Sequence, residues 1–383
     1  MSSSRPDSAT AVEEIVRAAL AQQTPLIIVG GNSKFCLGRR VPGLTPLDVS
    51  GLAGVVTYAP AELILVAKPG TRLSDAEEML AREGQRFVFE PPSWGNAATL
   101  GGTISCNLSG PRRYRAGAVR DHLLGIEIVN GFCERIRAGG RVVKNVTGYD
   151  LPRVLAGSFG TLGALTEVCL KVLPLPDYES TLRMPDLNPA EALEIALSWA
   201  GLPMEITGLA FAPEVGLMAR IEGPKRAVTT QVDSLKELCG FETALLEEES
   251  SVEFWRQWKE LEWLKPLEHA QRWRFSGPPT RVVRLMEALR AHGLKRWGFD
   301  WAGGLLWALF NTDAEIGVIH RTAVRHEAIA WRLASPGDER NEEAFTPPSG
   351  AVVRMNQILK HALDPQAIFN PGRIYALEET QSL

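Results

Sequence analysis

The sequence predicts an α+β fold in two parts, on three observations. Apolar runs of strand length, such as Leu63–Ala67 and Leu305–Phe310, recur along the whole chain. After residue 178, strand-like pairs and helix-period segments mix in the manner of helices laid on one face of an antiparallel sheet. Between the parts stands a Pro/Asp-rich stretch, LPLPDYES, whose prolines stop a strand and mark a boundary. The expected units are therefore residues 1–177, 178–335 and a tail, 336–383, that begins with a charged, Pro/Gly-rich linker.

Taken in order, Ala9–Gln22 carries apolar residues at helical spacing, and PLIIVGG reads as a buried strand running into glycine. VVTYAP and ELILVAKPG read as strands, and LSDAEEMLAREG as a helix closed by Gly84. RFVFEPPSWG reads as a strand ending in Pro-Pro; HLLGIEIVNG, CERIRAGG and LTEVCLKVLPLP read as three more. In the second part, AEALEIALSWAG, RAVTTQVDSLKELCG, VEFWRQWKELEWL and TRVVRLMEALRAHG have helical periodicity. ITGLAFAPEVGLMARIEG reads as a strand pair, FETALLEE and HAQRWRFSGPP as strands, and KRWGFDWAGGLLWALF as a hairpin. The tail offers one helix, VRMNQILKHALDP, followed by FNPGRIY.

Bulk properties exclude several classes. The 383 residues are 45% hydrophobic and 22% charged with a formal net charge of −4, so no strongly basic face draws nucleic acid or an anionic bilayer. No apolar run approaches membrane-spanning length, and no secretory h-region precedes the first helix, which predicts a cytoplasmic chain. Cys36, Cys106, Cys133, Cys169 and Cys239 are scattered, without a CxxC pair, and read as ordinary buried thiols rather than a metal or iron–sulfur site. His320 and His326 stand six apart, not the i, i+4 spacing of a metal pair.

Chemistry concentrates in three glycine-rich segments, each set against a strand. The first, VGGNSKFCLG, is neither GxxxxGK[ST] nor GxGxxG, but small residues there let backbone N–H groups converge on an anion. The second is LGGTISCNLSGPRRY, Leu100 to Tyr114; the third runs from Gly139 to Val168 and includes GSFGTLG. Glycine in regular structure costs about 0.5–1 kcal/mol relative to Ala, so such clustering implies compensating close contacts. Three of them suit a large ligand with a pyrophosphate and an extended ring system, as dinucleotide cofactors have.

ATLGGTISCNLSGPRRYRAGAVRDHLLGIE together with VVKNVTGYDLPRVLAGSFGTLGALTEVCLKVLP resembles the FAD-binding domain of the vanillyl-alcohol oxidase/p-cresol methylhydroxylase (PCMH) type. More narrowly, GGNSK, GGRVVKNVTGYDLPR and FNPGRIY resemble the FAD-binding (E) subunits of bacterial glycolate oxidase complexes. The resemblance is dense over Pro25–Pro176, weaker over the second part, and returns at the C-terminus. It implies a two-subdomain FAD domain, an antiparallel-sheet cap, and a tail that packs back on the FAD domain. It implies that Gly30, Gly31, Asn32, Ser33 and Lys34 wrap the FAD pyrophosphate. Pro91, Gly101, Gly102, Thr103, Ser105, Asn107 and Gly110 would lie along the pyrophosphate, ribityl chain and flavin edge. Gly157, Gly160, Gly163 and Leu165 would border the adenosine half, and Lys144 and Tyr149 match family positions. Some members tether FAD through a His in the first loop; this loop has none, so the FAD is expected to be non-covalent.

The hydroxy-acid dehydrogenases of this superfamily carry a His-rich motif in the second domain. Here His269, His292, His320 and His326 show no ligand-like spacing, so no general base for an α-hydroxyl is visible and no catalytic residue is assigned. Arg274 and Arg354 are candidates for carboxylate recognition. The tryptophans read as core and partner contact. Arg112 and Arg113 keep two readings: cations near flavin or substrate, or a solvated or partner-facing pair. The resemblance implies an FAD subunit oxidising glycolate to glyoxylate beside a paralogous flavoprotein subunit and an iron–sulfur subunit, with any membrane contact made through partners. A self-sufficient flavin oxidase, or a scaffold with structural FAD, are the other readings.

Overall fold

Helix Ala9–Ala21 starts where the Ser8 hydroxyl accepts from the Ala11 N–H, and it buries Val12, Val16 and Ala19 at the predicted spacing. The computed structural model describes residues 4–140, 150–264, 270–333 and 343–375. The first helix packs on Leu26, Leu47, Val49 and Phe369, a small core that already joins both ends of the chain. Strand Leu26–Val29 pairs in parallel with Thr45–Asp48. A parallel pair needs a long crossover, and here that crossover is the GGNSK loop and its continuation. On its other edge the strand receives the tail: the Leu26 N–H donates to the Ile368 carbonyl at 2.7 Å, and Asn370 N–H donates to the Leu26 carbonyl at 2.9 Å.

A five-stranded antiparallel sheet follows, in the order Val55–Ala59, Ile64–Ala67, Ala164–Lys171, Leu123–Val129 and Arg135–Gly139. RFVFEPPSWG departs from the reading as a full strand. Only Gln85–Arg86 pairs, with Leu173–Pro174, because the double proline cannot donate to a ladder and Glu90 and Trp94 adopt φ of 50° and 49°. GGTISC also differs from a turn: Leu100–Cys106 is a short helix whose first turn is closed by Thr99, its hydroxyl accepting from Gly102 N–H at 3.2 Å.

Residues 178–333 supply an eight-stranded antiparallel sheet. Its order is Ala244–Glu247, Tyr178–Met184, Gly216–Gly223, Ile206–Ala212, Leu294–Asp300, Leu305–Phe310, Gln271–Ser276 and Ile329–Leu333. Strand Leu305–Phe310 shows how the sheet is used: every residue is buried, Leu306, Ala308 and Phe310 under the helices and Leu305, Trp307 and Leu309 toward the first part of the chain. Helices Pro189–Ala200, Lys225–Cys239, Val282–Arg290 and Ile316–Arg325 contribute to the core on the first face. The second face closes on Leu37, Cys106 and Phe159, so the sheet serves as a lid over the glycine-rich region.

Candidate functional site

The parallel crossover leaves Val29 and enters Gly30 and Gly31, where a Cβ on Gly31 would overlap the Ala97 carbonyl and one on Gly30 would stand 2.9 Å from the Thr99 hydroxyl. Asn32 then takes φ 55°, in the left-handed region. Among the described residues, the backbone N–H groups of Gly31, Asn32, Ser33 and Lys34 donate to no protein acceptor. Four consecutive unpaired donors around an αL residue form an anion nest. Lys34 is 6% exposed and its Nζ donates to Ser33 Oγ at 3.3 Å and to the Ser93 carbonyl at 3.2 Å; burial lowers its pKa.

The nest opens into two adjoining cavities that share Gly30, Gly31 and Thr99. One, of about 450 Å³, runs past Ser50, Gly54, Gly70 and Arg72. The other, of about 100 Å³, is bounded by Asn32, Ser33, Lys34, Gly101, Gly102, Ser105, Gly160, Gly163 and Leu165. These come from all three glycine-rich segments. The requirement for glycine is physical at several: a Cβ at Gly101 would stand 2.7 Å from Pro69 Cβ, and Gly160 has φ 69° with Asn370 Nδ2 2.9 Å from an added Cβ. Cys106 lines the second cavity, and burial pushes its thiol up to about 12.

The tail supplies two residues that the segment reading did not single out, though both sit in FNPGRIY. Asn370 accepts from Ile28 N–H and donates to the Phe159 carbonyl, each at 2.6 Å, and so ties the first and third segments together. Arg373 donates to the carbonyls of Phe35, Leu37 and Arg39 and fixes the far side of the crossover.

Other expected residues take a different place. Pro91, Thr103, Asn107, Gly110 and Gly157 do not line either cavity. Gly110 is glycine because a Cβ would overlap the Glu90 carbonyl, and Gly157, with φ 88°, packs on Asn107 Cβ. Asn107 caps the short helix at φ 48° and accepts from Arg120 N–H, while the Pro91 carbonyl accepts from Lys259 Nζ at 3.3 Å. Thr103 is buried beneath the helix with an unpartnered hydroxyl. Lys144 and Tyr149 lie outside the described residues.

The basic end of LGGTISCNLSGPRRY turns to the sheet of the second part. Arg112 reaches Glu90 and Glu222 at 2.7 Å each and Glu179 at 3.3 Å. Arg220, fully buried, forms a two-pronged bond with Glu90 at 2.9 and 3.0 Å, and Arg86 meets Glu222 at 2.6 Å. The first part thus gives Arg86, Glu90 and Arg112, and the second gives Glu179, Arg220 and Glu222: three cations against three carboxylates. The guanidiniums of Arg112 and Arg220 outweigh burial and hold Glu90 at about 2. Tyr114 Oη donates to the Ile206 carbonyl, and Arg113 lies 4.2 Å over the Trp301 ring, whose Nε1 donates to the Gly110 carbonyl at 2.9 Å.

A nest of unpaired amides joined to an elongated cleft walled by glycine fits a dinucleotide, and the chain is an FAD-binding protein: residues 4–139 match the family model described as FAD binding domain. It is 40% identical, over 97% of its length and 98% of the relative's, to the glycolate oxidase subunit GlcE of Escherichia coli K12. It belongs to that family of FAD-dependent oxidoreductase subunits. A second relative, the glycolate oxidase subunit GlcD of Bacillus subtilis 168, is 25% identical over 64% of this chain and 57% of its own. In fold the chain is similar to alkyldihydroxyacetonephosphate synthase, with a TM-score of 0.68 at 16% identity, covering 96% of this chain and 76% of that one. The fold is thus the PCMH type, with mixed helix and antiparallel sheet. No helix among the described residues is long and apolar enough to cross a membrane.

Proposed function

We propose that this chain is the FAD-carrying subunit of a glycolate (2-hydroxy-acid) oxidoreductase complex. A paralogous flavoprotein subunit supplies the hydroxy-acid chemistry, an iron–sulfur subunit passes electrons on, and the overall reaction takes glycolate to glyoxylate. The observation that carries this reading is the end-to-end likeness to a glycolate oxidase subunit. FAD, when bound, supplies the capacity to accept and release electrons. This chain's own residues do the holding. The amides of Gly31, Asn32, Ser33 and Lys34 take the pyrophosphate, and the Lys34 ammonium adds a charge close by. Gly101, Gly102 and Ser105 border the middle of the cofactor, and Gly160, Gly163 and Leu165 border its adenosine half. The first loop carries no histidine, so the FAD is dissociable. The complex works in the cytoplasm, with membrane contact made through a partner.

The test is to purify the chain alone, confirm FAD from its absorption, and add glycolate anaerobically with and without the paralogous subunit. Bleaching only with the partner present is the expected result. Bleaching by the isolated chain would show a self-sufficient oxidoreductase, and none in either case would show a scaffold with structural FAD.

A further inference from the structure

Strand Gln271–Ser276 sends Trp273 and Phe275 into the helix-covered core, so Arg272 and Arg274 emerge on the opposite face, toward the first part of the chain. Arg274 is only 5% exposed. Its guanidinium lies 4.6 Å from the Trp331 ring, 5.2 Å from Trp301 and 6.0 Å from Trp307, and it has no hydrogen-bond or ion-pair partner among the described residues. Arg113, from the other side of the interface, shares the Trp301 indole; the Asp121 charge acts on it, but its guanidinium forms no ion pair or hydrogen bond among the described residues.

Among the described residues, the nearby carboxylates are already committed: Asp121 accepts from the Ala118 N–H at 2.8 Å and stands 3.9 Å from Arg153. Glu90, Glu179 and Glu222 bind Arg86, Arg112 and Arg220. Asp300 accepts from the Trp301 N–H at 2.7 Å and from Trp258 Nε1 at 3.2 Å. Burying a cation costs several kcal/mol unless it is compensated. Stacking on indole offsets part of that cost but leaves the planar N–H fork unfilled.

The backbone beneath adds a second, independent sign. Trp301, Ala302 and Gly303 take φ of 54°, 51° and 96° in succession. A non-glycine residue in that region is strained and persists only where the surrounding structure holds it there. Here the strain presents one indole to two unpaired guanidiniums, one from each part of the molecule.

We propose that Arg274 and Arg113 form an anion-binding site across the interface, and that its ligand is the carboxylate of a small hydroxy or oxo acid. The anion site stands on the geometry above; the acid class rests on the function proposed for the complex. Binding therefore takes place on this subunit as well as on its paralogue, and it draws the cap sheet and the FAD part together.

The test uses the full-length, FAD-loaded chain. Glycolate and oxalate are titrated anaerobically by calorimetry and by tryptophan fluorescence, with chloride and sulfate at matched ionic strength. Saturable binding of both carboxylates is expected. Arg274→Met and Arg113→Met should each weaken it about 10- to 100-fold, as loss of a charge-assisted hydrogen bond does. Arg274→Lys, which keeps the charge but not the fork, should fall between, and Arg17→Met, on the exposed side of the first helix, should bind as the parent does. No saturation by the FAD-loaded parent overturns the site, as does unchanged binding in Arg274→Met or Arg274→Lys protein that retains FAD. Equal binding of sulfate overturns the carboxylate assignment. Glycolate bleaching of the reconstituted complex is followed in parallel: bleaching without binding here sinks this site alone, and binding without bleaching sinks the complex reading alone.

Discussion

Two regions of this molecule handle polar groups in opposite ways. The crossover loop from Gly30 to Lys34 leaves four backbone donors without a protein acceptor, beside an open cleft. The interface between Arg86, Glu90 and Arg112 on one hand and Glu179, Arg220 and Glu222 on the other is closed, buried and balanced in charge. Buried polar groups are paired as a rule, so an unpaired set on a cleft reads as a ligand site, whereas a paired set reads as architecture. Arg274 and Arg113 are instructive because they sit in the closed region yet behave like the open one.

The sharpest way to break the contrast is to cut the closed region. Arg220→Met leaves Glu90 facing Arg112 alone and should cost about 3–5 kcal/mol, the usual loss when one partner of a buried pair is removed. Denaturant unfolding measures it, and FAD per folded molecule should stay at the parent level. A selective loss of FAD instead would mean that this network is part of the cofactor site.

Gly31→Ala attacks the open region. Its Cβ would overlap the Ala97 carbonyl, so the loop must shift; overpacking of this kind costs about 1–3 kcal/mol. FAD content, read from absorption, should fall much further than the melting temperature. A melt lowered in full while FAD binding holds would remove the nest from the site.

The smallest effect sharpens the comparison through pH. Glu90 is held down at about 2 by its arginines, so it contributes stability above its ordinary range near 4.5, and that stability is lost as pH falls toward 2. Asp300 is pushed up to about 7 by burial, so its folded form holds a proton that the unfolded chain releases near 3.8; stability from this group falls as pH rises from about 4 to about 7. Melting temperatures across pH 2 to 8 should rise and then decline, and Asp300→Asn should flatten the decline only. A decline unchanged in Asp300→Asn would assign it to another group.

Much of the FAD part was legible from residue order. The helix at Ala9–Ala21, the strands around the glycine segments and the convergence of Gly31, Gly101 and Gly160 on one cleft follow from periodicity and small side chains. RFVFEPPSWG was misleading because apolar content suggested a strand where proline and two left-handed residues forbid a ladder. Gly110 and Gly157 were read as cofactor contacts, yet their neighbours are Glu90 and Asn107.

Sequence by itself determined that the backbone approaches something closely at each glycine cluster, because the need for a missing Cβ is local. Tertiary structure alone decided what is approached. A carbonyl twenty residues upstream explains Gly110, and an indole from a distant turn receives Arg113. Long cationic side chains carry no sign of their partner in the chain around them. Whether Arg112 meets carboxylates and Arg274 meets none among the described residues depends on which strands the fold brings together.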